Sequence, residues 1–361
     1  MKIVYLYNQL GAGPLMISSL LANKLNGSDD IVIVNSRIRV ENKKSNVFTF
    51  PTSDNFILRM LFRLVLELAI IPFLAIYQGK SKLLAFGNFN LVPYPLTKRI
   101  LIHHPYLVDD VALDSQSSKV KLLEKMKRLY FSFQVLLFPN NTYFAQTQHF
   151  LSALENKYQG IKVSLLPNPL TNKISFPDPK RFESILTERV ENYKKLRVIY
   201  VSRYYPHKNH QFIVDLAKAI ENKGLNVELL ITVDESRIPE SLKENIHNLN
   251  TLTNIGEIEQ EMLESYYLNA HFCIFPSITE TFGNGLIEAT KFGLPTLALD
   301  YPYVDDVLGN SVLKVDSVDS CMNVLESFIG DSFYYNKKSK AVFDYSKKFI
   351  SVDEWVETLS K

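Results

Sequence analysis

The amino-acid sequence predicts an α/β protein made of two doubly wound, Rossmann-like domains. Three observations lead there. The chain has 361 residues, 46% of them hydrophobic, which is enough for two cores and long for one. A strand–loop–helix–strand pattern opens the chain and restarts from the beginning near Arg197, as expected for two parallel sheets flanked by helices. The charge also divides. Residues 1–170 carry 19 Lys and Arg against 10 Asp and Glu, a net of +9, whereas residues 171–361 carry 21 against 28, a net of −7. Two units with different surroundings account for that asymmetry better than one.

Taken in order, Lys2–Tyr7 reads as a strand, Asn8–Pro14 as a glycine-containing turn, Leu15–Leu25 as an apolar-periodic helix and Ile31–Val34 as the second strand. Further strands are expected at Leu83–Phe86, Arg99–His103, Thr142–Gln146 and Ile161–Leu166, the last punctuated by Pro167-Asn168-Pro169. Residues 171–195 begin polar and turn-rich and are read as the linker. The second domain then runs through strand Arg197–Val201, helix His210–Asn222, strand Asn226–Thr232, a short strand at Asn254–Ile255 and helix Gln260–Asn269. Strand Phe272–Phe275, helix Gly285–Phe292 and strand Pro295–Leu299 follow. The expected boundaries are therefore 1–170 and 171–340. A last helical pattern lies within 341–361, around Asp353–Ser360, and carries the only tryptophan, Trp355.

The composition excludes several classes. Two cysteines, Cys273 and Cys321, allow neither a disulfide framework nor a zinc site, and Cys273 lies in an apolar run that reads as core. The segment from Met1 to Leu10 has no cleavage pattern, so a reducing, cytoplasmic setting is the expectation. Phe56–Tyr77 is apolar but interrupted by Arg59, Arg63, Glu67 and Pro72, and it reads as a buried or interfacial helix, not a span. No pattern points to nucleic acid. No Asp-x-Asp lies in a plausible loop, so no metal and no other cofactor is expected.

The segment Phe275–Asp300, FPSITETFGNGLIEATKFGLPTLALD, carries the chemistry. Glu280 falls in a loop after a strand, and the loop enters a helix near Gly285. The free N–H groups and positive end of such a helix hold anions, and Gly283 and Gly285 let the backbone come close to a phosphate. Glu288 sits about one turn further on. Carboxylates accept hydrogen bonds from hydroxyls, so one of the pair can hold a ribose and the other a sugar. In VSRYYPHKN, Val201–Asn209, Arg203 and Lys208 follow a strand and precede a helix, where two cations would neutralise a diphosphate.

These segments resemble the E-x7-E signature of retaining GT-B glycosyltransferases, the glycosyl transferases group 1 or family 4-like enzymes. The match includes the Pro-Ser before Glu280, Phe282-Gly283 after it, Glu288-Ala289, Gly293-Leu294-Pro295 and Asp300. The similarity is strong over about 198–310 and thinner over 1–170, and it implies that the two domains face each other across a cleft, with the helix of 341–361 packing back onto the first. It implies a nucleoside-diphosphate sugar as donor and substrate, with Glu280 meeting the sugar, Glu288 the ribose, and Arg203 and Lys208 the diphosphate. Backbone at Phe282, Gly283, Asn284, Gly285 and Leu286 would line the donor. The Asn254–Glu257 loop, running on through Gly256, Glu257 and Ile258, would face the base. In the first domain it implies a glycine loop, Gly11 and Gly13, near the donor phosphate and the acceptor. It also implies a strand-end histidine at the donor sugar: His103 as the catalytic one, His104 beside it, with the register open by one residue. Ser202 stands where the family usually has glycine.

The resemblance further implies transfer to a glycan acceptor, in bacterial capsule, O-antigen or exopolysaccharide assembly. An epimerase would act on its donor without an acceptor, and a phosphorylase would need a cofactor lysine; no motif for either is visible. A non-catalytic binding protein would be expected to have lost Glu280, Arg203 or Lys208. Finally, SKVKLLEKMKRLYFSF, Ser118–Phe133, reads as a basic amphipathic helix. With Arg59 and Arg63 it would dock the first domain on an anionic membrane surface, where a polyprenyl-diphosphate-linked acceptor would be held.

Overall fold

The computed structural model describes residues 2–93, 96–114, 116–170, 178–191 and 195–360. It contains two compact units. The first comprises Met1–Leu113, Ser117–Thr171 and Ser351–Lys361; the second comprises Asp114–Gln116 and Asn172–Ile350. Of the segment read as linker, 171–177 and 192–194 lie outside the described residues, and Pro179–Glu191 is a helix of the second unit.

In the first unit, β1 (Ile3–Tyr5), β2 (Ile31–Asn35), β3 (Val47–Phe50), β4 (Lys82–Phe86), β5 (Thr97–Leu101), β6 (Thr142–Ala145) and β7 (Lys162–Leu165) form a parallel sheet in the order β3-β2-β1-β4-β5-β6-β7. β1, β2 and β4 are almost wholly buried runs rich in Val, Ile and Leu, as a parallel sheet covered on both faces requires. The strand order reverses between β1 and β4, and the crevice at such a reversal is where open α/β sheets bind ligands. β3 has no counterpart in the sequence reading, because its VFTF exposes half of its residues and reads as loop.

Two long helices flank this sheet. Phe56–Val65 runs through a π-helical turn, Leu66–Ile70, into Ile71–Tyr77, and Ser118–Leu137 is continuous. In both, charged residues expected at the surface turn inward. Glu67 is fully buried and accepts hydrogen bonds from Arg63 Nε at 2.8 Å, Asn8 Nδ2 at 3.2 Å and the Leu91 amide at 2.5 Å. Arg128 donates to the carbonyls of Tyr106 and Asp109 and pairs with Asp110, while Lys127 pairs with buried Glu124. Arg63, Lys127 and Arg128 are thus committed inside the unit, and the basic surface expected of Ser118–Phe133 is reduced accordingly.

The chain returns to the first unit at Ser351, while the Ser332–Ser346 helix stays with the second. The returning helix, Val352–Ser360, buries Trp355 edge-on against Phe86, with ring centroids 5.7 Å apart. Arg99 caps it by donating to the Leu359 carbonyl at 3.1 Å.

In the second unit, β8 (Leu196–Tyr200), β9 (Val227–Ile231), β10 (Leu252–Asn254), β11 (Phe272–Phe275), β12 (Thr296–Leu299) and β13 (Leu313–Val315) are parallel, in the order β10-β9-β8-β11-β12-β13. Here the reversal lies between β8 and β11, the two strands that precede the Arg203–Lys208 and Glu280–Glu288 segments. A buried guanidinium, Arg189, ties the Pro179–Glu191 helix to this core through the carbonyls of Tyr267, Leu268 and Phe292.

Candidate active site

The second unit brings together Lys208 and Glu280, 72 residues apart in sequence, as a largely buried ion pair at the carboxyl edge of β8 and β11. The two loops that carry them are stitched to each other. The Ile278 amide donates to the His207 carbonyl at 2.9 Å. Tyr200 donates its hydroxyl to the Lys208 carbonyl at 2.8 Å and stands 3.2 Å from the Ser277 hydroxyl, and Tyr303 donates to the Ser277 carbonyl at 2.6 Å. Neither loop can move without breaking buried hydrogen bonds, so the pair is held in place before any ligand arrives. Asn209 takes a left-handed conformation, φ 54°, and starts the His210–Lys223 helix directly after Lys208.

Arg203 is paired as well, with Glu257 at 3.0 Å. Each expected cation is therefore matched by an expected carboxylate, so the cluster combines charge with neutrality. Ser202 is buried; its amide donates to Thr232 Oγ1 at 3.0 Å and its hydroxyl to the Arg203 carbonyl at 2.8 Å. The extra hydroxyl is thus absorbed locally.

Gly283 precedes the Asn284–Thr290 helix with φ 86°. A Cβ there would meet Leu286 Cδ1 at 3.1 Å and the Phe275 ring at 3.3 Å, and one on Gly285 would meet the same ring at 3.1 Å. These glycines serve the packing of backbone on Phe275. Phe282 and Leu286 are buried, so their side chains belong to the core. Glu288 is partly exposed and receives a hydrogen bond from the Tyr267 hydroxyl at 3.3 Å. Burial pushes its carboxyl up to about 7, against the pull of Tyr267 and Lys291.

Gly256, φ 74°, Glu257 and Ile258 follow β10. Ile258 packs on the core formed by Ile199, Tyr267, Cys273 and Phe292. Gly256 and Glu257 instead line an open concavity of about 440 Å³ with Val233, Asp234, Glu235, Asn254 and Ile255. Asn254 organises it: its Oδ1 accepts from the Val233 amide and the Gly256 amide, both at 3.1 Å, and its Nδ2 donates to the Val233 carbonyl and to Glu235. Asn254 had been expected only as the start of the loop that faces the base, and Asp234, Glu235 and Tyr267 were not among the expected site residues. The available signal was positional: polar residues directly after β9 and at the end of β10 on the ligand-binding edge of a parallel sheet.

In the first unit, Gly11 caps the Ala12–Lys24 helix at φ −75°, and Gly13 lies in its first turn; neither conformation demands glycine. β5 ends at Leu101, so His103 lies two residues beyond the strand. The two histidines separate clearly. His104 Nε2 stands 2.5 Å from Glu124 Oε2. The His103 amide donates to Asn88 Oδ1 at 2.7 Å, while its ring packs on Phe86 and buries an Nε2 that has no hydrogen-bond partner. Burial lowers its pKa to about 4, so it is neutral at pH 7. Among the described residues no group of three or more His, Cys, Asp or Glu could hold a metal ion.

Residues 182–348 match the family model for glycosyl transferases group 1. The chain is 30% identical over 162 residues to the O-antigen chain mannosyltransferase RfbU of Salmonella typhimurium, covering 44% of this chain and 41% of that protein. It is 22% identical over 204 residues to the phosphatidylinositol N-acetylglucosaminyltransferase gpi3 subunit of Schizosaccharomyces pombe, covering 55% and 42%. The matched stretches thus span about two fifths of these relatives. Among solved structures it is similar to WaaG, a glycosyltransferase involved in lipopolysaccharide biosynthesis, with TM-score 0.72, 14% identity and full coverage of both chains. A sucrose-phosphate synthase from Thermosynechococcus elongatus gives TM-score 0.73 and 15% identity over 100% of this chain and 98% of that one. The architecture is that of GT-B glycosyltransferases.

Proposed function

We propose that this chain, whose residues 182–348 match the model for glycosyl transferases group 1, transfers a sugar from a nucleoside-diphosphate sugar to a glycan acceptor with retention at the anomeric carbon. The observation that carries the reading is the pre-formed Lys208–Glu280 pair at the strand-order reversal, with Arg203 three residues beyond β8. A diphosphate entering this edge exchanges the carboxylate partners of Lys208 and Arg203 for its own oxygens, and the two cations then stabilise the charge that develops on the leaving group. Glu280, released from Lys208, is free to accept hydrogen bonds from sugar hydroxyls. Asn254 and Gly256 shape the concavity for the base, and Glu288 takes the ribose. By the family resemblance, His103, neutral and with an unused Nε2, acts on the donor sugar. The leaving phosphate draws the proton from the acceptor hydroxyl, so no separate protein base is assigned.

Similarity to an O-antigen chain mannosyltransferase supports an acceptor in bacterial surface-glycan assembly; the proposal takes that acceptor to be carried on a polyprenyl diphosphate at the inner face of the membrane. The test is a panel of nucleotide sugars followed by release of nucleoside diphosphate, with and without lipid-linked acceptors, and NMR of the first-formed anomer. Turnover of a donor only to its epimer, or an inverted first product, would refute the reading.

A further inference from the structure

We propose that the first unit binds the bilayer by inserting two inside-out helices into the acyl layer of one leaflet, in the plane of the membrane, and that this docking does not require anionic lipid. The inference rests on the lipid-linked acceptor proposed above and specifies how the chain reaches it.

On the Ser118–Leu137 helix, Leu122, Met126, Leu129, Phe133 and Leu136 recur at intervals of four and three residues, so they form one stripe. Each is more than half exposed, from 53% for Phe133 to 75% for Leu136. The opposite stripe carries Glu124, Arg128 and Gln134 beside Phe131 and Val135, and it faces the sheet. Phe56–Tyr77 repeats the inversion. Phe56, Ile57, Leu61, Val65, Phe73 and Ile76 are exposed, while Glu67 is buried beside Leu66, Ile71 and Ala75.

The two helices share one flank of the unit. Arg63 of the first donates to the Phe89 carbonyl at 2.7 Å, and the Phe89 ring packs edge-on against Tyr130 and Phe131 of the second, at 5.4 and 6.2 Å. Some ten large apolar side chains, each more than half exposed, at roughly 100 Å² of exposed surface each, by comparison with about 150–250 Å² that a whole aromatic side chain can bury, make a patch on the order of 1,000 Å². The largest apolar patch of an ordinary soluble monomer is about 300–600 Å².

Three features select lipid as the occupant. A protein interface of this size carries roughly one hydrogen bond per 100–200 Å², yet these stripes are aliphatic, thioether and phenyl side chains, and Arg63, Glu67, Arg128 and Gln134 make their hydrogen bonds inside the unit. Acyl chains require no such bonds. Phe56–Tyr77 is long and apolar enough to cross a membrane, but Glu67 and its three donors, together with the buried Leu66, Ile71 and Ala75, fix its inner face to the core, so it lies along the surface. At the margin, the exposed Lys119 and Lys125 can reach the phosphates that any phospholipid headgroup presents. With Arg63, Lys127 and Arg128 withdrawn into internal pairs, the apolar area supplies the affinity and the lysines add to it.

The experiment is flotation of the full chain with vesicles of phosphatidylcholine alone and of phosphatidylcholine with phosphatidylglycerol, at low salt and at about 1 M salt, where the screening length falls to roughly 3 Å. The expected result is flotation with both vesicles, retained at high salt. It should fall at least about ten-fold in L129E/F133E, since a carboxylate cannot enter the acyl layer without a large cost. Both residues are exposed, so the variant keeps its fold by circular dichroism and its turnover of nucleotide sugar onto a water-soluble acceptor analogue. K119E/K125E should float on phosphatidylcholine within about two-fold of the parent. Failure to float on neutral vesicles, or loss in K119E/K125E with none in L129E/F133E, overturns the proposal in favour of electrostatic docking. A lipid-free dimer that L129E/F133E dissolves, with no flotation by the parent, overturns it in favour of a second copy as occupant. Donor turnover is read separately from flotation, so failure of the enzymatic reading is distinguishable from failure of the docking.

Discussion

Glu288→Gln should make the unliganded protein more stable, and increasingly so as pH rises. The carboxyl is desolvated where the Asn284–Thr290 helix meets Tyr267, and it titrates near 7 instead of 4.5. For a group whose pKa is raised by folding, both states hold the proton below 4.5 and the group costs nothing. Between 4.5 and 7 the unfolded chain releases its proton while the folded one keeps it, so stability is lost, and above 7 the loss is complete. At about 1.4 kcal/mol per pKa unit the full cost at pH 8.5 is about 3 kcal/mol, and partial exposure reduces it to about 1–2 kcal/mol. Glutamine keeps the Tyr267 hydrogen bond and carries no charge. Urea unfolding of both proteins at pH 5 and pH 8.5 should show the difference in unfolding free energy growing by about 1–2 kcal/mol in favour of the variant. The same variant should bind nucleoside diphosphate more weakly at pH 8.5, because the charge that burdens the fold is the one proposed to accept hydrogen bonds from the ribose. An unchanged difference at the two pH values would refute the argument that burial strains this carboxylate.

Lys208→Ala should lower turnover about 100-fold, equivalent to roughly 3 kcal/mol at the transition state, and also destabilise the fold by about 1–3 kcal/mol by leaving Glu280 unpaired in a largely buried position; a K208A/E280A double variant whose stability loss equals the sum of the singles would show that the pair is not coupled in the free protein. Trp355→Ala should cost about 3–5 kcal/mol, and it should do so in the first unit's transition although the residue lies at the far end of the chain, because its ring packs on Phe86; a change confined to the second unit by hydrogen exchange would contradict that placement.

The two doubly wound units were legible in the linear pattern, because parallel strands buried on both faces leave short apolar runs that alternate with helical periodicity. β8, β9, β11 and β12 were read within a residue at each end on that signal. β3 and β13 were missed, since they are short strands with exposed positions at the sheet edge and no long apolar run. Glu280, Glu288, Arg203 and Lys208 were also legible, since their spacing survives as a linear motif. Their pairing was not. Lys208 meets Glu280 across 72 residues, through loops joined by Tyr200, Ser277 and Tyr303, and Arg203 meets Glu257 across 54; His103 and His104, adjacent in sequence, part because Glu124 captures one and the Phe86 ring buries the other. Helical spacing gives the angle between residues around an axis but not which side meets the sheet. Ser118–Phe133 therefore read as a basic surface helix, and packing against the unit reverses it. The loop after β4 offers the Asn88 carbonyl and the Asn90 amide to Gln134, the Tyr106 carbonyl accepts from Arg128, and His104 meets Glu124. Satisfying those buried polar groups turns the leucines outward, a choice made by partners that lie far away along the chain.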